Sequence, residues 1–171
     1  FAKRGEPIVK EFQDEFFVRY GLLLDSCAAG VDDARFETAV SAAASIAAAE
    51  RSPEALLDLL FIGDRAYCFT AGRGLGQTEQ VLEVLACVQP QRDQPFARLL
   101  ALLAGHAPAL SACVCIMLDW DAERQRLLDL LRSHGVETVV LVIGPPSTPP
   151  EPGIRVATAE TLAVELARLT P

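Results

Sequence analysis

The stretch Ala112-Cys113-Val114-Cys115-Ile116-Met117-Leu118-Asp119-Trp120-Asp121 decides the fold. Ala112 to Leu118 is apolar without alternation, the pattern of a central parallel strand covered on both faces. Asp119-Trp120-Asp121 breaks the run and caps a helix that reaches His134. Val136 to Ile143 is a second uninterrupted apolar run, ended by Gly144. Strand, helix and strand in so few residues form a parallel βαβ unit with a right-handed crossover.

The same alternation continues toward the N-terminus. Phe16 to Leu24 reads as a buried strand ended by Asp25-Ser26. Asp32-Asp33 caps an Ala-rich helix running to Arg51, with Phe36, Ala39, Val40, Ala43, Ile46 and Ala47 at helical spacing, and Ser52-Pro53 stops it. Leu56 to Ile62 is a strand interrupted only by Asp58, and Ala66 to Thr70 follows so closely that the two predict an antiparallel hairpin. Gly72, Gly74 and Gly76 form a loop, Thr78 to Val88 a helix, and Pro95 to Ala104 another. Toward the C-terminus, Pro145 to Gly153 is a proline-rich surface loop, Ile154 to Val156 a last short strand, and Thr158 to Leu169 a closing helix. The fold class that follows is α/β: a doubly wound, mostly parallel sheet of Rossmann type with one antiparallel edge strand and helices on both faces. Such sheets bind ligands beyond the carboxyl ends of their strands, here around Asp25, the glycine loop and Asp119.

Composition narrows the function. With 171 residues, 51% of them hydrophobic, the chain is long enough for one domain with a substantial core. A net charge of -8 with scattered Lys and Arg excludes a phosphate-backbone binder, so nucleic acid is not an expected partner. No apolar run reaches the ~18 residues that span a bilayer. The chain opens on Phe1 rather than Met, which predicts a piece of a longer protein whose membrane anchor, if it has one, lies in segments absent from this sequence. The five cysteines are odd in number. Three of them, including Cys113 and Cys115, sit in apolar stretches as small hydrophobes, so a reducing, cytoplasmic setting is expected. Cys113 and Cys115 are too close for a zinc-ribbon spacing.

The opening Ala2-Lys3-Arg4-Gly5-Glu6-Pro7-Ile8-Val9-Lys10-Glu11-Phe12 resembles the "ARRGE-x-x-VREF" stretch of the bacterial domain-of-unknown-function-58 proteins. Leu22-Leu23-Leu24-Asp25-Ser26-Cys27 and Gly72-Arg73-Gly74 are similar to that family's first strand and its "GRG" loop. The resemblance implies a von Willebrand factor A-like domain over residues 15–171, with residues 1–14 the tail of a preceding region. It also implies an assembly role with a protein partner, a MoxR-type AAA+ ATPase. Domains of this type hold Mg²⁺ in a metal-ion-dependent adhesion site built from Asp-x-Ser-x-Ser, a loop Thr and a later Asp. Carried over by position, the resemblance implies metal ligands at Asp25, Thr78 and Asp119. The two serine positions hold Cys27 and Ala29, which offer a hard cation a soft thiol and nothing. The expectation is a degenerate site with weakly bound Mg²⁺ or no cofactor.

The enzymatic readings are poorer. Asp119 and Asp121 suggest an Mg²⁺-dependent hydrolase or phosphatase of the haloacid dehalogenase type, but that pair belongs after a first strand and here follows a late one. Asp121 also suits a helix cap. Cys68 to Arg73 is one residue short of a cysteine-phosphatase loop. Gly72-x-Gly74-x-Gly76 lacks the Lys-Ser/Thr of a Walker loop, and His106 and His134 have no nucleophile at suggestive spacing. Trp120 reads either as an exposed anchor for a partner or as a cover over the sheet end. The sequence therefore predicts a non-catalytic protein-interaction domain.

Overall fold

The computed structural model describes residues 18–49, 55–71 and 76–168. The opening stretch with its 1–14 tail, the end of the first helix at Arg51 and the loop residues Gly72 to Gly74 lie outside the described residues. Elements follow in the order β1 (Val18–Leu24), α1 (Asp33–Ala49), β2 (Ala55–Ile62), β3 (Ala66–Ala71), α2 (Gln77–Cys87), α3 (Ala97–His106), a 3-10 turn (Ala107–Ala109), β4 (Ala112–Met117), α4 (Ala122–Ser133), β5 (Glu137–Ile143), β6 (Arg155–Ala157) and α5 (Leu162–Ala167).

The strands form one sheet in the order β3-β2-β1-β4-β5-β6. All neighbours are parallel except β2 and β3, whose antiparallel register runs from Leu57 opposite Ala71 to Ile62 opposite Ala66. The short link through Gly63-Asp64-Arg65 allows no crossover, so the chain turns straight back, as expected.

β1 lies between β2 and β4, and both of its faces are covered: Leu22, Leu23 and Leu24 are wholly buried. Their side chains alternate between two cores. Leu22 and Leu24 join Phe36, Ala39 and Ala43 of α1 and Val81 and Leu85 of α2 on one side. Leu23 joins Leu99 and Leu103 of α3 and Leu127, Leu128 and Leu131 of α4 on the other. Each fully buried leucine contributes roughly 1.5–3 kcal/mol. The alanines of α1 have high helix propensity and let that helix lie close on the sheet.

The Asp58 that interrupts β2 is 1% exposed and is held by the Arg19 Nε and Nη2 groups at 3.0 Å each and by the Thr70 hydroxyl at 2.5 Å. The closing helix begins later than the expected Thr158, and its expected end at Leu169 lies outside the described residues. Thr158 and Thr161 bond each other's side chains and backbone and hold the chain in a turn until Leu162. Among the described residues, no helix is long and apolar enough to cross a membrane.

Candidate functional site

The carboxyl ends of β1, β4 and β5 carry the loops in which the sequence places its acids. Asp25 follows β1 immediately and continues its ladder, its N–H donating to the Ile116 carbonyl at 2.8 Å. Its carboxylate is completely buried. Oδ1 accepts from the Cys27 N–H at 3.0 Å, and Oδ2 accepts from the Leu118 N–H at 3.2 Å. The Arg124 guanidinium supplies the rest, Nε at 2.9 Å and Nη2 at 2.7 Å to Oδ2.

Arg124 stands in the first turn of α4 and is 7% exposed. Its Nη1 donates to Asp121 Oδ2 at 2.5 Å, while Asp121 Oδ1 caps the helix by accepting from the N–H groups of Glu123 and Arg124 at 3.0 Å each. The flat of the guanidinium lies 4.5 Å from the centre of the Phe96 ring. Burial pulls the guanidinium down, but the charges of Asp25, Asp121 and Asp119 and the Asp25 hydrogen bonds outweigh it and hold Arg124 above its ordinary value. For Asp25, burial pushes the carboxyl up, against the pull of Arg124 and of the two backbone N–H groups. Every group that touches it is a donor, so the ionised form is the one the surroundings satisfy.

Asp119 faces the proline-rich loop. Its Oδ1 accepts from the N–H groups of Trp120 at 2.7 Å and Ser147 at 2.6 Å, and its Oδ2 from the Ser147 hydroxyl at 2.5 Å. Burial pushes this carboxyl up, but the Ser147 and Trp120 bonds outweigh it and hold it below the usual range. Thr148 adds two bonds to the Trp120 carbonyl, at 2.8 and 3.1 Å. The loop after β5 is also gripped by Arg35, which donates to the Ile143 and Pro145 carbonyls. Only glycine serves between them: Gly144 has φ +80, and a Cβ there would meet Arg35. On the other side, the Ser26 hydroxyl donates to the Ile62 carbonyl at 2.6 Å and accepts from the Ile62 N–H at 2.9 Å, which prolongs the pairing of β1 and β2 beyond their ladder. The backbones of Ser26 and Ala28 bond Gln91 at 2.8 and 2.9 Å. From there a groove of about 610 Å³ runs between the β2–β3 hairpin and α2, lined by Phe61, Tyr67, Phe69 and Val84.

Asp25 and Asp119 thus share the strand-end face, both acting on Arg124. Thr78 stands in the first turn of α2, and no polar contact joins it to either acid among the described residues. Trp120 is 2% exposed and belongs to the core with α3 and α4, which settles it as a cover over the sheet end. Cys68 lies in β3, and His134 is the C-cap of α4.

The sequence reading missed Arg124. Its signal was present, because Arg124 shares one helical stripe with Leu127, Leu128 and Leu131. A charge at a core position of an amphipathic helix calls for a buried partner. Ser147 had no such signal, as it lies in a loop without periodicity.

Strand order, the single antiparallel edge and helices on both faces define a von Willebrand factor A-like, Rossmann-type α/β domain. Solved structures of that type are similar to it. They include a von Willebrand factor type A structure from Catenulispora acidiphila, with TM-score 0.57 and 14% identity over 90% of this chain and 42% of that one. Proximal thread matrix protein 1 from the mussel byssus, with a zinc-occupied MIDAS motif, has TM-score 0.62 and 9% identity over 90% of this chain and 47% of that one. BatB from Bacteroides thetaiotaomicron has TM-score 0.54 and 14% identity over 88% of this chain and 85% of that one. The chain spans about half the length of the byssal protein. No family model and no curated protein matches the sequence.

The residues do not fit the divalent cation that this fold holds in the byssal protein. An ionised carboxylate offers about four lone-pair sites, and Asp25 already accepts from Cys27, Leu118 and twice from Arg124. The serine positions hold Cys27 and Ala29. Burial pushes the Cys27 thiol up to about 12, so it stays protonated and supplies no thiolate. Among the described residues, no group of three or more His, Cys, Asp or Glu side chains is arranged to hold a metal ion.

Proposed function

We propose that this domain is a non-catalytic module that docks a protein partner on its strand-end face, with Asp25 and Asp119 surviving as loop organisers in a degenerate metal-ion-dependent adhesion site. The observation that carries this reading is that Asp25 and Asp119, the acids of the adhesion-site pattern, and Asp121 beside them are already engaged. Asp25 is closed over by Arg124, Asp121 is divided between a helix cap and Arg124, and Asp119 is held by Ser147. A hydrolase of the haloacid dehalogenase type needs a carboxylate free to attack phosphorus and a cation beside it, and this arrangement supports neither. What the face does offer is a rigid frame with exposed side chains, Asp32, Glu123 and Ser147 among them.

The partner that the opening stretch points to is a MoxR-type AAA+ ATPase, in the manner of the domain-of-unknown-function-58 family. The five cysteines are all free thiols, which supports a reducing, cytoplasmic setting for the domain. Biolayer interferometry against a purified MoxR-type ATPase from the same genome tests the reading. Glu123→Arg and Ser147→Arg should each weaken binding by about tenfold or more, while Glu137→Arg, at the other end of the strands, should leave it unchanged. Equal binding by all three variants, or phosphate-ester turnover that depends on Asp121, would overturn the proposal.

A further inference from the structure

We infer that the Arg124 guanidinium is a built-in cation that stands in for the divalent metal of the adhesion site, so that the strand-end face is organised without Mg²⁺ or Mn²⁺ and does not respond to either. The inference deepens the reading of this face as a degenerate adhesion site, but concerns how the face is held rather than what docks on it.

A divalent cation in such a site does two physical things. It neutralises a carboxylate buried at the end of the first strand, and it bridges the loops that follow separate strands. Arg124 does both. Its charge meets Asp25, which is wholly buried after β1, and its third nitrogen reaches Asp121 in the loop after β4. The Phe96 ring beneath it adds a contact from the start of α3, so three segments converge on one planar group. Arginine suits this position because its fork offers several fixed donors, its pKa keeps it charged, and its flat face stacks on an aromatic ring.

The geometry also excludes sharing. A metal ion on Asp25 Oδ2 would displace two guanidinium bonds and stand against the positive charge that made them. Arg124 could yield only by leaving a site where it is 7% exposed, giving up Asp121 and Phe96 as well. A metal site keeps an open coordination position for a partner's carboxylate, and Arg124 leaves none. Docking on this face therefore has no metal-bridged acid in it.

Thermal unfolding and titration calorimetry of the full chain test the inference. In EDTA, in 5 mM Mg²⁺ and in 5 mM Mn²⁺ the Tm should agree within about 1 °C, and neither ion should give a saturable binding heat. Arg124→Met leaves Asp25 buried and unpaired, and should lower Tm by roughly 6–20 °C or prevent folding. Asp25→Asn with Arg124→Met removes both charges in similar volume, and should recover most of that loss. Saturable Mn²⁺ binding by the unaltered chain that Asp25→Asn abolishes would overturn the inference. So would a double variant as unstable as Arg124→Met alone, because charge compensation would then not be what Arg124 supplies. Neither readout involves a partner, so the docking proposal can fail while this one stands, and the reverse.

Discussion

Ser26 is the residue next to Asp25 that clips the carboxyl ends of β1 and β2 together, and Ser26→Ala is a direct measure of that clip. The hydroxyl is fully buried, donates to the Ile62 carbonyl at 2.6 Å and accepts from the Ile62 N–H at 2.9 Å. Alanine leaves both backbone groups of Ile62 facing a methyl group in a fully buried site. An unsatisfied buried donor or acceptor costs about 1–3 kcal/mol. With two such groups and partial relaxation, the expected loss is about 2–4 kcal/mol. For a domain of this size each kcal/mol lowers Tm by about 2–4 °C, so the melting point should fall by roughly 5–15 °C. Urea denaturation should give the same loss through a lower midpoint at unchanged slope. Ser45→Ala is the control. That hydroxyl bonds the Ser41 carbonyl one turn back on the exposed face of α1, and its removal should change stability by less than ~0.5 kcal/mol. If Ser26→Ala were as mild as Ser45→Ala, the clip would contribute nothing, and the rigidity ascribed to the strand-end face would lose its foundation.

Gly21 faces Cys113 across the β1–β4 ladder, and a Cβ there would lie 2.9 Å from both Cys113 Sγ and Leu110 Cδ1. Gly21→Ala should therefore cost about 1–3 kcal/mol in urea denaturation, part of it recovered when Cys113→Ala is added. Iodoacetamide at pH 8 should modify Cys87 rapidly, the half-buried Cys68 slowly, and Cys27, Cys113 and Cys115 not at all in the folded chain. The Cys27 thiol, with its pKa at about 12, gains reactivity only well above that pH, and a first adduct located by mass spectrometry at Cys27 would contradict its burial. Ser147→Ala removes the 2.5 Å bond to Asp119 Oδ2 and should speed amide exchange at Thr148 several-fold while shifting global stability by only about 1 kcal/mol.

The scaffold was largely legible in the sequence because its strands are buried on both faces. Runs such as Leu22-Leu23-Leu24 and Ala112 to Leu118 have no polar interruption, and the short link after Ile62 permits only a hairpin. The start of the closing helix was placed too early because Thr158 to Thr161 can open a helix or form a turn, and only side-chain bonding to the backbone decides between them. At the site, the positions of Asp25 and Asp119 were readable and their partners were not. The pairing of Asp25 with Arg124 spans 99 residues of sequence, and no local pattern encodes a contact that arises only when β1 and α4 meet. A reading that asks what each charge on a buried stripe must pair with would have found Arg124.

The departures from the adhesion-site pattern are consistent with one another once Arg124 is counted. With a metal ion at Asp25, Cys27 and Ala29 would each withhold an oxygen ligand from a hard cation. With a guanidinium there, neither position has to supply one. Cys27 turns instead into the core beside α3 and α4, 6% exposed, while its N–H supports Asp25 Oδ1. Placing Arg124 in the first turn of a helix is unfavourable by itself, because it sets a positive charge against the positive end of the helix dipole. Asp121 at the cap and Asp25 beneath the helix offset that cost, and Asp25 in turn could not be buried without Arg124. The two acids of the metal pattern thus have separate uses here: Asp25 is required by the cation that fills the site, and Asp119 holds the Ser147 loop.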